Sequence, residues 1–239
     1  MGYSVAIDGP AGAGKSTIAK RVAKEKDFIY IDTGAMFRAM AIHFLRCGIA
    51  ADDPKKISEA VKDINVTISY VNGEQQVFLN GENVTGQLRT EEVGNMASAS
   101  SVNGDVRKKL LELQRNLAKS ANIVMDGRDI GTVVLPNADV KVYLTASVEV
   151  RAQRRYKELI EKGQTADLEQ IKKDIEERDY RDMNREIAPL RQAEDAILVD
   201  SSNLTIEESA AAILALIDKE QCSKHVIGES SGTVEIILE

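Results

Sequence analysis

Histidine and cysteine occur only twice each in this chain of 239 residues. Two histidines, His43 and His225, give little support to a zinc cluster or a histidine-based triad, which need several ligating or proton-carrying groups close together. Cys47 and Cys222 are far apart and form no C-x-x-C pair, so reduced thiols in a cytoplasmic protein are the expectation. Long apolar runs are also missing. None reaches the ~18 residues of a membrane span, and the chain opens on a strand-like segment rather than a basic leader. Positive charge is in deficit, with 31 Lys and Arg against 38 Asp and Glu and a net charge of −7. A polyanion track leaves a basic footprint, so neither a nucleic acid polymer nor a membrane is an expected partner. Any anionic ligand must be met by a local concentration of cations. The length suits one domain, with or without small insertions.

What the chain does contain starts with Gly9-Pro10-Ala11-Gly12-Ala13-Gly14-Lys15-Ser16-Thr17, which meets G-x-x-x-x-G-K-[ST] at every fixed position. Glycines there let the backbone curl so that successive N–H groups face phosphate oxygens, and the following helix adds its positive end. Lys15 would reach the β- and γ-phosphates and the Ser16 hydroxyl would hold Mg²⁺. The context fits: apolar Tyr3 to Ile7 precedes the loop, and Ile18, Ala19, Val22 and Ala23 follow at helical spacing. The ligand expected is a nucleoside triphosphate.

Short apolar runs recur between helical stretches, at Val5 to Asp8, Phe28 to Asp32, Ile123 to Asp126, Val140 to Leu144 and Ile197 to Asp200. They predict an α/β fold with a five-stranded parallel sheet flanked by helices. Four of the five runs end on Asp, where ligands of such sheets bind, so these acids are expected around the phosphate loop. An Asp after a strand is equally a helix cap or turn former. Asn72-Gly73 and Asn80-Gly81 mark hairpin turns in a small antiparallel β insert, placed at about residues 64–97. Helices are expected around Thr90 to Ser101 and Asp105 to Ser120. A charge-dense helical lid is expected at about residues 151–186, broken near Gly163 to Ala166. The last core helix should run from Ile206 to about Lys219, closing one domain over residues 1–219. The tail at 220–239 has a β-like run, Val234 to Leu238, and no evident role.

Three further clusters carry chemistry. Asp32-Thr-Gly-Ala-Met-Phe-Arg38 sits where the second strand meets its helix, so that Arg38 would point back to the phosphates. Asp126-Gly-Arg-Asp129 follows an apolar strand like the Mg²⁺-side strand that accompanies a phosphate loop, and Asp126 would act on a metal-bound water or position the accepting phosphate. Arginines concentrate at 151, 154, 155, 178, 181, 185 and 191, and Arg178, Arg181 and Arg185 are spaced to share a helix face. Such a helix is often just solvated. Yet the guanidinium fork suits phosphate oxygens, and a closing arginine lid would exclude water.

Together GPAGAGKST, DTGAMFR, DGRD and RDYRDMNR (178–185) closely resemble bacterial cytidylate kinases, over about residues 3 to 219. The resemblance implies a P-loop kinase using ATP and Mg²⁺ to phosphorylate CMP or dCMP. It implies Arg38, Arg128 and Arg185 as ligands of the acceptor phosphate, beside Thr33 and Phe37. Ser98, Arg107 and Asp129 resemble the cytosine readers, Arg178 and Asp182 the sugar contacts, and Arg155 a lid arginine on the transferring phosphate. Family members often carry Ser and Tyr where this chain has Thr33 and Phe37. A monomer is the expectation for a hinge-closing kinase of this size. Shikimate kinases share the phosphate loop, but their Asp-x-Asp is replaced here by Asp32-Thr33-Gly34. A GTP switch would need Asn-Lys-x-Asp, and no Asn is followed by Lys. An ATP-binding switch module remains the alternative from outside catalysis.

Overall fold

The computed structural model describes residues 2–229. In chain order the elements are β1 (Ser4–Asp8), α1 (Lys15–Lys26), β2 (Ile29–Asp32), α2 (Thr33–Arg46), α3 (Pro54–Ala60), β3 (Val66–Val71), β4 (Glu74–Leu79), β5 (Glu82–Asn83), α4 (Glu91–Ser100) and α5 (Gly104–Ser120). They continue with β6 (Ile123–Gly127), β7 (Val140–Thr145), α6 (Val148–Glu161), α7 (Leu168–Asn184), β8 (Ile197–Asp200) and α8 (Ile206–Glu229).

The main sheet has the order β2-β6-β1-β7-β8, and every pair in it is parallel. Its inner strands are apolar on both faces because helices cover both. Alternate residues serve opposite cores. Ala6, Ile31 and Met125 pack with Met36, Met40 and Phe44 of α2 and Leu110 of α5. Val5, Ile7 and Val124 pack with Ile18 and Val22 of α1 and Ile213 and Ile217 of α8. The order places the phosphate loop, which follows β1, at the middle of the sheet's carboxyl edge, where α/β sheets bind ligands. Gly9 starts that loop under β7. A Cβ there would lie 1.9 Å from the Leu144 carbonyl oxygen, and φ is +148°, so only glycine fits.

The insert is a three-stranded antiparallel sheet, β3-β4-β5. Its turns are those the Asn-Gly pairs demand, with φ of 53° and 79° at Asn72 and Gly73 and 50° and 86° at Asn80 and Gly81. It docks on the free edge of β2 through side chains. Gln75 accepts from Asp32 N at 2.9 Å and donates to Asp32 O at 3.1 Å, and the Tyr70 hydroxyl donates to the Tyr30 carbonyl at 3.3 Å. The carboxamide of Gln75 thus takes the place of a neighbouring strand. Helices α6 and α7 pack as a hairpin whose connection turns at Gly163, with φ +72°.

Two features depart from expectation. Helix α8 continues to Glu229 instead of stopping near Lys219, because Glu220, Gln221 and Lys224 are good helix formers and no breaker intervenes before Gly228. The β-like run Val234 to Leu238 lies outside the described residues. Helix α3 was not foreseen, although Asp53 caps it by accepting from Lys56 N at 3.0 Å and Pro54 opens it.

Candidate active site

A cleft of about 850 Å³ opens at the carboxyl edge of the main sheet, between the phosphate loop, the start of α2, the end of β6 and the inner face of α7. Its two halves have different chemistry. One is built on the phosphate loop and the other on arginines.

On the loop side, Gly14 adopts φ +88° ahead of α1, and Lys15 folds back so that Nζ donates to the Pro10 carbonyl at 2.6 Å. Lys15 is only 6% exposed. Burial holds its ammonium well below its usual pKa, with the Arg128 charge adding to the effect and the carboxylates of Asp126 and Asp8 opposing it. Beside it, Ser16 Oγ donates to Asp126 Oδ2 at 2.9 Å and the Tyr30 hydroxyl donates to Oδ1 at 3.0 Å. Burial, reinforced by Asp32, pushes the Asp126 carboxyl up to about 6 despite Lys15 and the two hydroxyls. The same burial, with Asp126 and Asp32 nearby, pushes the Tyr30 phenol far up.

The four strand-end acids divide by role. Only Asp126 meets the phosphate loop through a hydrogen bond. Asp32 lines the cleft but its Oδ1 caps α2, accepting from Ala35 N at 2.9 Å. Asp200 holds Ser202 N at 2.9 Å. Asp8 accepts from Ile130 N at 2.8 Å and Gly131 N at 2.7 Å, anchoring the turn that follows Asp129. Its carboxyl is pushed up to about 6 by burial, against the pull of those two amides. Capping and turn anchoring therefore explain three of the four.

On the arginine side, Gly127 lets β6 end against α2. A Cβ there would stand 2.6 Å from Ile130 Cδ1 and 2.9 Å from Thr33 Oγ1. Thr33 Oγ1 donates to the Asp126 carbonyl at 2.7 Å. Arg128 Nε donates to Asp182 Oδ2 at 2.9 Å, joining β6 to α7. Arg107 pairs with Asp129 Oδ2, also donates to the Ser101 carbonyl at 3.1 Å, and lies 5.5 Å above the centre of the Phe37 ring. Arg185 donates to the Ala188 carbonyl at 2.7 Å and stands 3.5 Å from Asp129 Oδ1. Burial is the main influence that lowers the pKa of Arg38, and it brings Arg178 and Arg185 down to about 10, with neighbouring guanidinium groups adding to each shift. Burial would raise the Asp182 carboxyl, but Arg128, Arg178 and Arg185 hold it below its usual value. Ser98 Oγ and Arg178 Nε are buried without a hydrogen-bond partner, and both residues line the cleft. Unmatched donors beside crowded cations describe a site built for an anion with further polar groups.

The structure thus gathers Lys15, Ser16, Thr33, Phe37, Arg38, Ser98, Arg107, Asp126, Arg128, Asp129, Arg178, Asp182 and Arg185 around one cleft. Arg155 is not among its lining residues. Its guanidinium holds Glu158 Oε2 at 2.9 Å on an exposed face of α6, while the neighbouring Arg154 lines the cleft and donates to the Ser201 carbonyl at 2.7 Å. Nor do Arg178, Arg181 and Arg185 share a face. Within α7, Arg181 is turned about 60° around the axis from Arg178 and is exposed outside the cleft that Arg178 lines, and Arg185, just past the helix end at Asn184, reaches the cleft in extended conformation. Sequence reasoning missed Arg89, which lines the cleft 3.3 Å from Asp32 Oδ2. The role of Arg151 was not legible either: it ties the Ala11 carbonyl (3.0 Å) to Asp179 on α7 (2.7 Å). Arg151 was visible as part of the arginine cluster, whereas Arg89 follows a turn and carries no pattern.

Known proteins resemble this chain at the level of sequence family and of fold. The sequence model of a family described as Cytidylate kinase matches residues 5–219. A cytidylate kinase of Caldicellulosiruptor saccharolyticus is 50% identical over 216 residues, covering 90% of this chain and 96% of the relative. One from Leuconostoc mesenteroides subsp. mesenteroides is 48% identical with the same coverage. Among solved structures, an uncharacterized protein from Eubacterium ventriosum superposes with a TM-score of 0.50 at 12% identity, covering 90% of this chain and 98% of that one, a likeness of fold alone.

Proposed function

The chain belongs to the cytidylate kinase family, and from that premise we propose that it transfers the γ-phosphoryl group of ATP to CMP or dCMP, giving ADP and CDP or dCDP. The observation that carries the acceptor assignment is the trio of Ser98, Arg107 and Asp129 lining the cleft. Cytosine offers an amino donor at N4 beside acceptors at N3 and O2. The paired guanidinium and carboxylate of Arg107 and Asp129, with the unpartnered Ser98 hydroxyl, supply the complementary acceptor and donors.

In this reading the backbone of Gly9 to Thr17 cradles the triphosphate, and Lys15 leaves the Pro10 carbonyl for its β- and γ-oxygens. Phosphate charge near Lys15 offsets the burial that disfavours its ammonium. Arg38, Arg128 and Arg185 receive the acceptor phosphate, and Arg178 with Asp182 the sugar. The acceptor's phosphate oxygen then attacks the γ-phosphorus as the bond to the ADP oxygen breaks, and the protein's part is to align the two and cancel charge. The Arg155 guanidinium would join the transferring group only after α6 and α7 close and Glu158 releases it. Closure also keeps water from the triphosphate.

Ser16 Oγ and the Asp126 carboxylate are hard oxygen donors placed together at the loop, which suits Mg²⁺. A magnesium ion held there would neutralise charge on the β- and γ-phosphate oxygens. The test is ADP formation from ATP with CMP, dCMP, UMP, AMP and shikimate offered one at a time. Activity confined mainly to CMP and dCMP supports the reading; activity with AMP or shikimate, or none above hydrolysis, overturns it.

A further inference from the structure

Tyr30 lies in an apolar strand and its ring belongs to the core beneath α1, yet its hydroxyl reaches the one strand-end acid that meets the phosphate loop. The residue is 8% exposed and packs among Val5, Ile18 and Val22. Core packing alone does not call for a hydroxyl there, since phenylalanine fills the same space and a buried hydroxyl is unfavourable unless bonded. The bond it makes is to Asp126 Oδ1 at 3.0 Å, while Ser16 Oγ takes Oδ2 at 2.9 Å.

The two holders of Asp126 differ in freedom. Ser16 belongs to the phosphate loop and has a second duty, because its hydroxyl is also the candidate metal ligand. Tyr30 has none. Its main chain is fixed in register with Val124 of β6, its carbonyl accepts from Tyr70, and Lys20 Nζ stands 5.7 Å from the ring centre on its solvent side. A carboxylate left with one mobile partner can rotate, whereas one pinned at Oδ1 keeps Oδ2 turned to the loop.

We infer that Tyr30 is a positioning residue: its hydroxyl fixes the Asp126 carboxylate so that Oδ2 still faces the phosphate loop when the Ser16 hydroxyl turns to a metal ion. The inference rests on the proposed reading that Ser16 and Asp126 form the metal side of the site. Partners one step behind a metal ligand commonly change metal affinity by roughly 10-fold or more when removed.

The experiment titrates Mn²⁺ into the enzyme–ADP complex, following free Mn²⁺ by electron paramagnetic resonance, for wild type, Tyr30→Phe, Asp126→Asn and the double variant. Tyr30→Phe should weaken Mn²⁺ binding by roughly 10-fold, raise the Mg²⁺ needed for half-maximal turnover in parallel, and leave the half-saturating CMP concentration in place. In the Asp126→Asn background the second substitution should change little, because the tyrosine acts through that carboxylate. Unchanged Mn²⁺ affinity in Tyr30→Phe, whatever happens to its melting temperature, overturns the inference. So does an effect of Tyr30→Phe that persists without the carboxylate. If Asp126→Asn alone leaves Mn²⁺ affinity intact, the metal reading itself has failed and the inference falls with it, a result separable from the other two. A wild-type measurement guards against misfolding of the variants. The ¹³Cζ resonance of Tyr30 should report a bonded hydroxyl before and after ADP and Mg²⁺ are added, and loss of that bond on addition overturns the role.

Discussion

Arg128 at the end of β6 donates its Nε to Asp182 on α7 at 2.9 Å, so an arginine assigned to the acceptor phosphate also fastens the sheet to the lid. Asp182 faces Arg178 and Arg185 as well, and is 6% exposed. Removing it leaves buried cations without their counter-charge. Asp182→Ala should lower the unfolding free energy by about 3 kcal/mol, read by urea denaturation, and added inorganic phosphate should restore part of the loss. The folded pKa of this carboxyl is depressed, so its contribution is present at neutral pH and fades as pH falls below the ordinary carboxylate range.

Asp126 behaves in the opposite sense. Its folded pKa of about 6 lies above an unfolded value near ~3.9, so the native state holds the extra proton between those values and stability falls as pH rises through that window. Asp126→Asn removes the penalty. In the absence of nucleotide and metal, the variant should melt higher than wild type at pH 8, by up to about 3 kcal/mol in stability, with the difference shrinking toward pH 4. Its turnover should fall sharply, the exchange of stability for function expected of a buried acid in an active site. Equal melting curves at pH 8 would contradict the burial argument.

Lys15→Ala and Arg128→Ala should each cut turnover by about 10³-fold or more while the fold is kept, because phosphoryl transfer depends on charge placed at the phosphates. Steady-state ADP formation beside circular dichroism checks both. Wild-type rates in either variant would remove that residue from the assigned machinery.

Gln75→Ala should loosen the insert's contact with β2 at Asp32 without unmaking its hairpins. The Asp32 amide and carbonyl lose their partners, and the cost should be about 1 to 2 kcal/mol. Hydrogen exchange at Asp32 should quicken while the hairpins of the insert stay protected.

The features legible in sequence are those whose cause is local. Val5 to Asp8 and Ile123 to Asp126 read as strands because helices on both faces leave no polar alternation. Asn72-Gly73 and Asn80-Gly81 read as hairpins because both turn positions need positive φ. The glycines of the phosphate loop answer a backbone requirement that Gly9 shows directly against Leu144. What sequence hid depends on direction and distance. Adjacent Arg154 and Arg155 differ by about 100° around the helix, and nothing in the letters says which faces the cleft. Tyr30 reads as core because its ring is core, and only the fold brings its hydroxyl to a residue 96 positions away. Helical spacing groups Arg178, Arg181 and Arg185, but Arg181 is turned about 60° from Arg178 around α7 and Arg185 lies past the helix end.

The most direct test of the cytosine assignment is the ratio of kcat/KM for CMP over UMP, measured side by side in wild type and Ser98→Ala. Uracil reverses part of the donor and acceptor pattern, and one buried group left unpaired costs about 1 to 3 kcal/mol. The account predicts a wild-type preference for CMP of roughly 10- to 100-fold that falls in the variant while the fold is kept. Equal use of CMP and UMP by the wild type, or a preference untouched by losing the Ser98 hydroxyl, would contradict it.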